Sequence, residues 1–136
     1  MRTFNLFISH SWSYSNTYNG LVSLLRARSY FSFRNYSVPR NDPIQIAGTA
    51  TQLRAAIRQQ MAPCSVVIIL AGVYASYSRW IDEEIELAMD GFDVAKPIVA
   101  VEPWGSKRTS ARVKQAADKI VRWNTESIVR AIRALA

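Results

Sequence analysis

One cysteine, one histidine and five glycines among 136 residues leave little material for several familiar chemistries. The lone Cys64 excludes an intramolecular disulfide, and its place beside the apolar run Val66 to Leu70 reads as a buried, inert thiol. One histidine and one cysteine are too few ligands for a zinc site. No G-x-G-x-x-G fingerprint and no phosphate-binding P-loop occurs, which excludes the commonest nucleotide cradles. No apolar stretch approaches the ~20 residues that a membrane span needs. Met1 to Phe7 carries one arginine and no apolar signal core, and reads as a first strand rather than a signal peptide. A reduced, cytoplasmic setting is the expectation.

Acidic residues are also scarce, ten against seventeen lysines and arginines, for a net charge of +7. The basic residues are scattered along the chain rather than gathered in a patch, which argues against nucleic acid as the partner. No cluster of metal-binding carboxylates supports a nuclease.

An apolar fraction of 49% and a charged fraction of 20% are those of a globular protein. The length predicts a single domain over residues 1–136 that buries about two-thirds of its unfolded surface. Phe4 to Ile8 reads as a first strand, ending in a polar turn from Ser9 to Asn16. A helix follows with Leu21, Leu24 and Leu25 on one face, and Ser15 or Asn16 as its N-cap. Phe31 to Phe33 predicts a brief second strand. Arg34 to Thr51 holds Pro39, Pro43 and Gly48 without a period, and loops this long are usually functional. Leu53, Ile57 and Met61 mark a helix over Thr51 to Met61, closed by Pro63.

Ser65 to Ala71 is apolar without alternation and rich in β-branched residues, as in a parallel strand buried on both faces. A third helix starts near Ser78, and Pro97 to Val101 forms a fourth strand. Ser106 to Ala117 predicts a helix, Lys119 to Val121 a fifth strand, and Thr125 to Leu135 a terminal helix facing inward through Ile128, Ile132 and Leu135. Strands alternating with helices give parallel βαβ units in an α/β fold: a five-stranded parallel sheet of order 2-1-3-4-5 with helices on both faces. Ligands bind such sheets beyond the carboxyl ends of the strands. The segments to inspect are therefore Ser9 to Asn16, Arg34 to Gly48, Ala71 to Trp80 and Glu102 to Ser110.

A phosphoacceptor receiver needs carboxylates at the ends of its first and third strands, where this chain has Ser9-His10 and Ala71-Gly72. Ser9, Ser11, Ser13, Ser15, Asn16 and Thr17 crowd a helix start and offer donors to phosphate, but no glycine precedes Gly20 to admit a close approach. Five of the ten acidic residues fall between Asp82 and Asp90. Asp82, Glu83, Glu86 and Asp90 read as a solvated helix face. Glu84 differs, because it stands four residues after Trp80 and so one turn along the same face, at the edge of the stripe formed by Ile81, Ile85 and Ala88.

The run from Ser78 to Ile85, Ser-Arg-Trp-Ile-Asp-Glu-Glu-Ile, resembles the TIR-domain helix in which an aromatic residue precedes a catalytic glutamate by four places. Phe7-Ile8-Ser9-His10-Ser11-Trp12 is similar to the family's first strand and loop. Asn35-Tyr36-Ser37-Val38-Pro39 and Asp42-Pro43-Ile44 occupy the place of its BB loop. With Lys96-Pro97-Ile98-Val99, Pro103-Trp104-Gly105 and Val121-Arg122-Trp123-Asn124, these resemble the bacterial TIR-like branch that includes the signalling protein of Thoeris antiphage defence.

The resemblance covers essentially the whole chain and implies a flavodoxin-like fold. It also implies an NAD-cleaving enzyme of the glycohydrolase or ADP-ribosyl cyclase kind, with NAD as substrate and no cofactor. Glu84 is then the catalytic carboxylate, and Trp80 walls the site. Ser9 and Ser11 meet phosphate, and Trp12, Tyr14 or Tyr36 stacks on a base. His10, Asn35, Ser37, Arg40, Asp42 and Ile44 complete the candidate contacts. Self-association through TIR-like surfaces and a downstream effector that reads a linear or cyclic ADP-ribose-derived product are the implied partners. Members of this branch often carry an acidic residue soon after the Ser-His-Ser-Trp motif, where this chain has Ser13 and Ser15. The alternative is a non-catalytic TIR-like module that binds a protein or a nucleotide signal.

Overall fold

The computed structural model describes residues 2–9, 15–36, 50–72, 79–103 and 106–136, with the side chains of residues 15, 50, 53, 79, 80 and 106 left aside. The strands are β1 (Thr3–Ser9), β2 (Ser32–Asn35), β3 (Val66–Leu70), β4 (Ile98–Glu102) and β5 (Lys119–Arg122). The α-helices among the described residues are α1 (Ser15–Arg26), α2 (Ala50–Met61), α3 (Arg79–Asp90), α4 (Ala111–Ala116) and α5 (Thr125–Leu135).

Every side chain of β3 and β4 is buried, as the unalternating Val66-Val67-Ile68-Ile69-Leu70 and Ile98-Val99-Ala100-Val101 require of strands covered on both faces. The sheet runs β2-β1-β3-β4-β5, and every neighbouring pair is parallel. This is the expected 2-1-3-4-5 order. Helix α1 packs against α5, whereas α2 packs against α3 and α3 against α4, so the helices form two layers with the sheet between them. Phe7, Leu6, Ile8, Leu21, Leu25, Ile57 and Met61 join β3 in the core at zero exposure.

Two boundaries differ from expectation. β2 runs from Ser32 to Asn35, so Asn35 belongs to the sheet rather than to the loop that follows, paired in register with Leu6. Residues 106–117 do not form one helix. A 3-10 turn at Ser106–Arg108 stops, and α4 restarts at Ala111 with the Ser110 side chain accepting from the Val113 amide at 3.2 Å. Serine in a helix interior competes for backbone donors, and here it wins by capping a new helix.

The single thiol is inert. Burial pushes the Cys64 thiol up to about 12 despite the nearby Lys96, whose ammonium donates to the carbonyls of Ala62 and Cys64 at 2.8 and 2.9 Å. Among the described residues no helix is long and apolar enough to cross a membrane.

Candidate active site

At the carboxyl end of β1 the chain leaves the sheet at Ser9, and at the carboxyl end of β3 it turns at Gly72 with φ of 135°. Only glycine takes that backbone without strain, so β3 ends in a bend that lets the chain climb toward the start of α3. β1 and β3 are neighbours, with Ser9 level with Ile69. The second turn of α3 therefore arrives over the ends of these strands and carries Glu84.

Ser9 and Glu84 are brought together there, each almost fully buried, at 1% and 4% exposure. The Glu84 carboxyl lies deeper than the edge position expected from the helix pattern, because Ile81, Ile85 and Ala88 of the same face are themselves sealed against the sheet. Burial pushes its pKa up from 4.5 to about 8, and the Ser9 hydroxyl opposes that shift only in part. Among the described residues, neither Ser9 Oγ nor Glu84 Oε2 has a well-formed hydrogen-bond partner, and no basic side chain pairs with Glu84. Buried polar atoms are normally satisfied, and an unsatisfied one costs about 1–3 kcal/mol. Two such atoms side by side, at the end of the sheet where ligands bind, mark the place where a ligand's donors would be expected.

The other acids of α3 lie on its solvent-facing side, as expected, and three of them also form ion pairs. Arg54 of α2 reaches Glu83 at 2.9 Å and Glu86 at 3.3 Å, and Arg112 of α4 reaches Asp82 at 3.2 Å. These three carboxylates lock α3 to the helices on either side, and their cations are spent there. Glu84 alone of this run is buried, and among the described residues it has no cation.

Of the remaining sequence candidates, Asn35 and Tyr36 are placed one strand over, at the carboxyl end of β2. The Asn35 amide donates to the Tyr18 hydroxyl at 2.7 Å, and the Tyr36 amide donates to the Leu6 carbonyl at 2.9 Å while its side chain packs on the core. Both serve the scaffold at this end of the sheet. Trp80 sits in the first turn of α3 by its backbone, and its side chain lies outside the description. His10, Ser11, Trp12, Tyr14, Ser37, Arg40, Asp42 and Ile44 lie outside the described residues.

Within the segment Glu102 to Ser110, which the sequence marked for inspection, two residues were not singled out. Glu102, the last residue of β4, is buried, and Thr109 donates to its Oε2 at 2.6 Å, itself buried. A signal was present, since a carboxylate closes an otherwise wholly apolar strand.

A five-stranded parallel sheet in 2-1-3-4-5 order, with a buried glutamate delivered by the helix after the third strand, defines a TIR-like α/β protein of flavodoxin-like topology. The chain belongs to the family described as Thoeris protein ThsB, TIR-like domain, which it matches over residues 7–108. That span runs from within β1 to the 3-10 turn, and so includes Ser9, Glu84 and Glu102. Membership places the protein in Thoeris antiphage signalling. No curated protein matches the chain.

Proposed function

We propose that this protein is an enzyme that cleaves the nicotinamide–ribose bond of NAD and releases an ADP-ribose-derived signalling nucleotide. The observation that carries this reading is the buried Glu84 carboxyl beside Ser9, with its Oε2 unpartnered among the described residues, in a chain of this family. Nicotinamide in NAD is a cation, and when the C–N bond breaks the electron pair returns to the ring nitrogen and neutral nicotinamide leaves. No general acid is needed. Positive charge develops on the ribose as an oxocarbenium-like centre, of the kind met in glycoside hydrolysis. A preorganised carboxylate stabilises that charge in a water-poor site.

Burial pushes the Glu84 pKa up to about 8, which favours the protonated form at neutral pH. A cationic pyridinium brought alongside favours the ionised form, because an opposite charge within a few ångströms lowers a carboxyl's pKa. The Ser9 hydroxyl then has an anion to donate to, and fixes the carboxylate's orientation. Either water or a nucleophilic atom of the ADP-ribose moiety takes the vacated bond and loses a proton, giving a linear or a cyclic product. The candidate contacts from His10 to Tyr14, from Ser37 to Ile44 and at Trp80 belong to this same reading.

The test is NAD turnover by purified protein, alone and with lysate from phage-infected cells, followed by nicotinamide release. Glu84→Gln keeps the shape of the side chain but cannot become an anion, and should lower kcat about a hundredfold or more. Glu83→Gln, whose side chain faces Arg54, should stay within a few-fold of wild type. Equal turnover by folded wild type and Glu84→Gln would sink the mechanism and leave the binding-module alternative ahead.

A further inference from the structure

We propose that Glu102 is a second ligand-binding carboxylate, held by Thr109, which accepts hydrogen bonds from the nucleoside half of the dinucleotide away from the scissile bond. The proposal rests on the NAD-cleaving reading above and extends it to residues that reading does not use.

The case begins with burial. Glu102 is 8% exposed, and no arginine, lysine or histidine pairs with it among the described residues. Glutamate is rarely buried without a partner charge. Its one described hydrogen bond, from Thr109 Oγ1 at 2.6 Å, engages Oε2. A single hydroxyl satisfies only a small part of what two carboxylate oxygens accept. Arg122, level with it on β5, makes no ion pair with it.

Register supplies the direction. Ser9 is level with Ile69 on β3, and Ile69 with Ala100 on β4. Residues level with each other share a face of the sheet, and so do residues two apart along a strand. Glu102 therefore projects from the same face as Ser9, the face on which α3 delivers Glu84 and on which Thr109 leads into α4. Two strand spacings across and two residues along put the Cα atoms of Ser9 and Glu102 about 12 Å apart. That is too far for both to serve one ribose, and suits two parts of an extended dinucleotide. The second, independent mark of a ligand on this face is the buried and unpartnered Ser9–Glu84 pair.

A carboxylate at that remove accepts; it does not touch the breaking bond. Its natural counterparts are the hydroxyls of the second ribose and the amino group of its base. Thr109 acts through it as a positioning residue, occupying one oxygen so that the other is presented in a fixed orientation.

The experiment compares wild type, Glu102→Gln, Thr109→Val and Thr109→Ser, using NAD turnover and calorimetric binding of AMP, which carries only the distal half. Glu102→Gln should raise the KM for NAD about tenfold with kcat within twofold, and weaken AMP binding by a similar factor. Glu84→Gln should leave AMP binding unchanged. Thr109→Val should follow Glu102→Gln in KM and AMP affinity, and Thr109→Ser should restore both. A merely structural clasp would instead lower melting temperature and kcat together without that split. The proposal is overturned if Glu102→Gln binds AMP as wild type does, or if wild type cleaves NAD yet binds no AMP. Wild type that binds AMP, with Glu102→Gln weakened, but cleaves no NAD under any condition would remove the enzymatic reading and leave the Glu102 subsite standing.

Discussion

At the scale of single residues, the proposed chemistry turns on one carboxyl that its surroundings make reluctant to ionise. Burial pushes the Glu84 pKa up from 4.5 to about 8. If catalysis needs the carboxylate, kcat/KM for NAD must rise with pH, because this parameter reports the ionisations of the free enzyme. We expect a limb that climbs through about pH 8 and levels above it. A cationic substrate favours the anion, so kcat should climb at lower pH than kcat/KM does. A kcat/KM profile flat from pH 6 to 9 in wild type would remove Glu84 from the rate equation.

That Glu84, unlike its acidic neighbours, turns inward was legible in the sequence, from the face it shares with Ile81 and Ile85. Its depth was not. Helical periodicity reports which way a side chain points, and says nothing of how far neighbouring strands close over it. Glu102 opened a segment marked for inspection but was not singled out, because a carboxylate at the end of an apolar strand has the pattern of a strand simply running out into solvent. Only the strand register, which no local pattern contains, shows that Glu102 and Ser9 share a face.

At the scale of elements, α3 is the piece that must stay put, and it is held from both sides. Arg54 bridges Glu83 and Glu86 from α2, and Arg112 reaches Asp82 from α4. These groups are more than a third exposed for the most part, so each pair contributes modestly, about 0.2–1 kcal/mol. Arg54→Ala removes two of the contacts and should lower stability by about 1 kcal/mol at low salt. Urea melts in 20 mM and 1 M sodium chloride check this, since screening should bring variant and wild type together at the higher salt. A larger loss that is insensitive to salt would mean that the packed arginine stem, not its charge, holds α3 to α2.

The helices and strands themselves were read within a residue or two almost throughout. The exception, the break before α4, came from Ser110, which caps a new helix by accepting from the Val113 amide. The acids of α3 were read as solvated because their partners come from helices distant in sequence.

At the scale of the whole molecule, the fold order was legible because each strand is separated by a helix and the middle strands are apolar on both faces. The same architecture makes one buried carboxyl a term in global stability. Its pKa is raised on folding, so the folded protein binds a proton that the unfolded chain releases. That contribution is complete below about pH 4.5 and is lost as pH climbs to about 8. Denaturation free energies of wild type relative to Glu84→Gln should fall across this window by an amount on the order of a few kcal/mol. A difference that does not vary with pH would place the carboxyl in a far wetter setting.

The unpaired carboxyl beside Ser9 thus ties the protein's lifetime to its ligand. Near neutral pH the empty form is the one more often open to proteases, because the population that unfolds is set by this same free energy. A bound dinucleotide adds stability in proportion to the logarithm of its concentration over its dissociation constant. On the proposed function, cells rich in the dinucleotide would keep the protein longer, and cells depleted of it would clear it sooner.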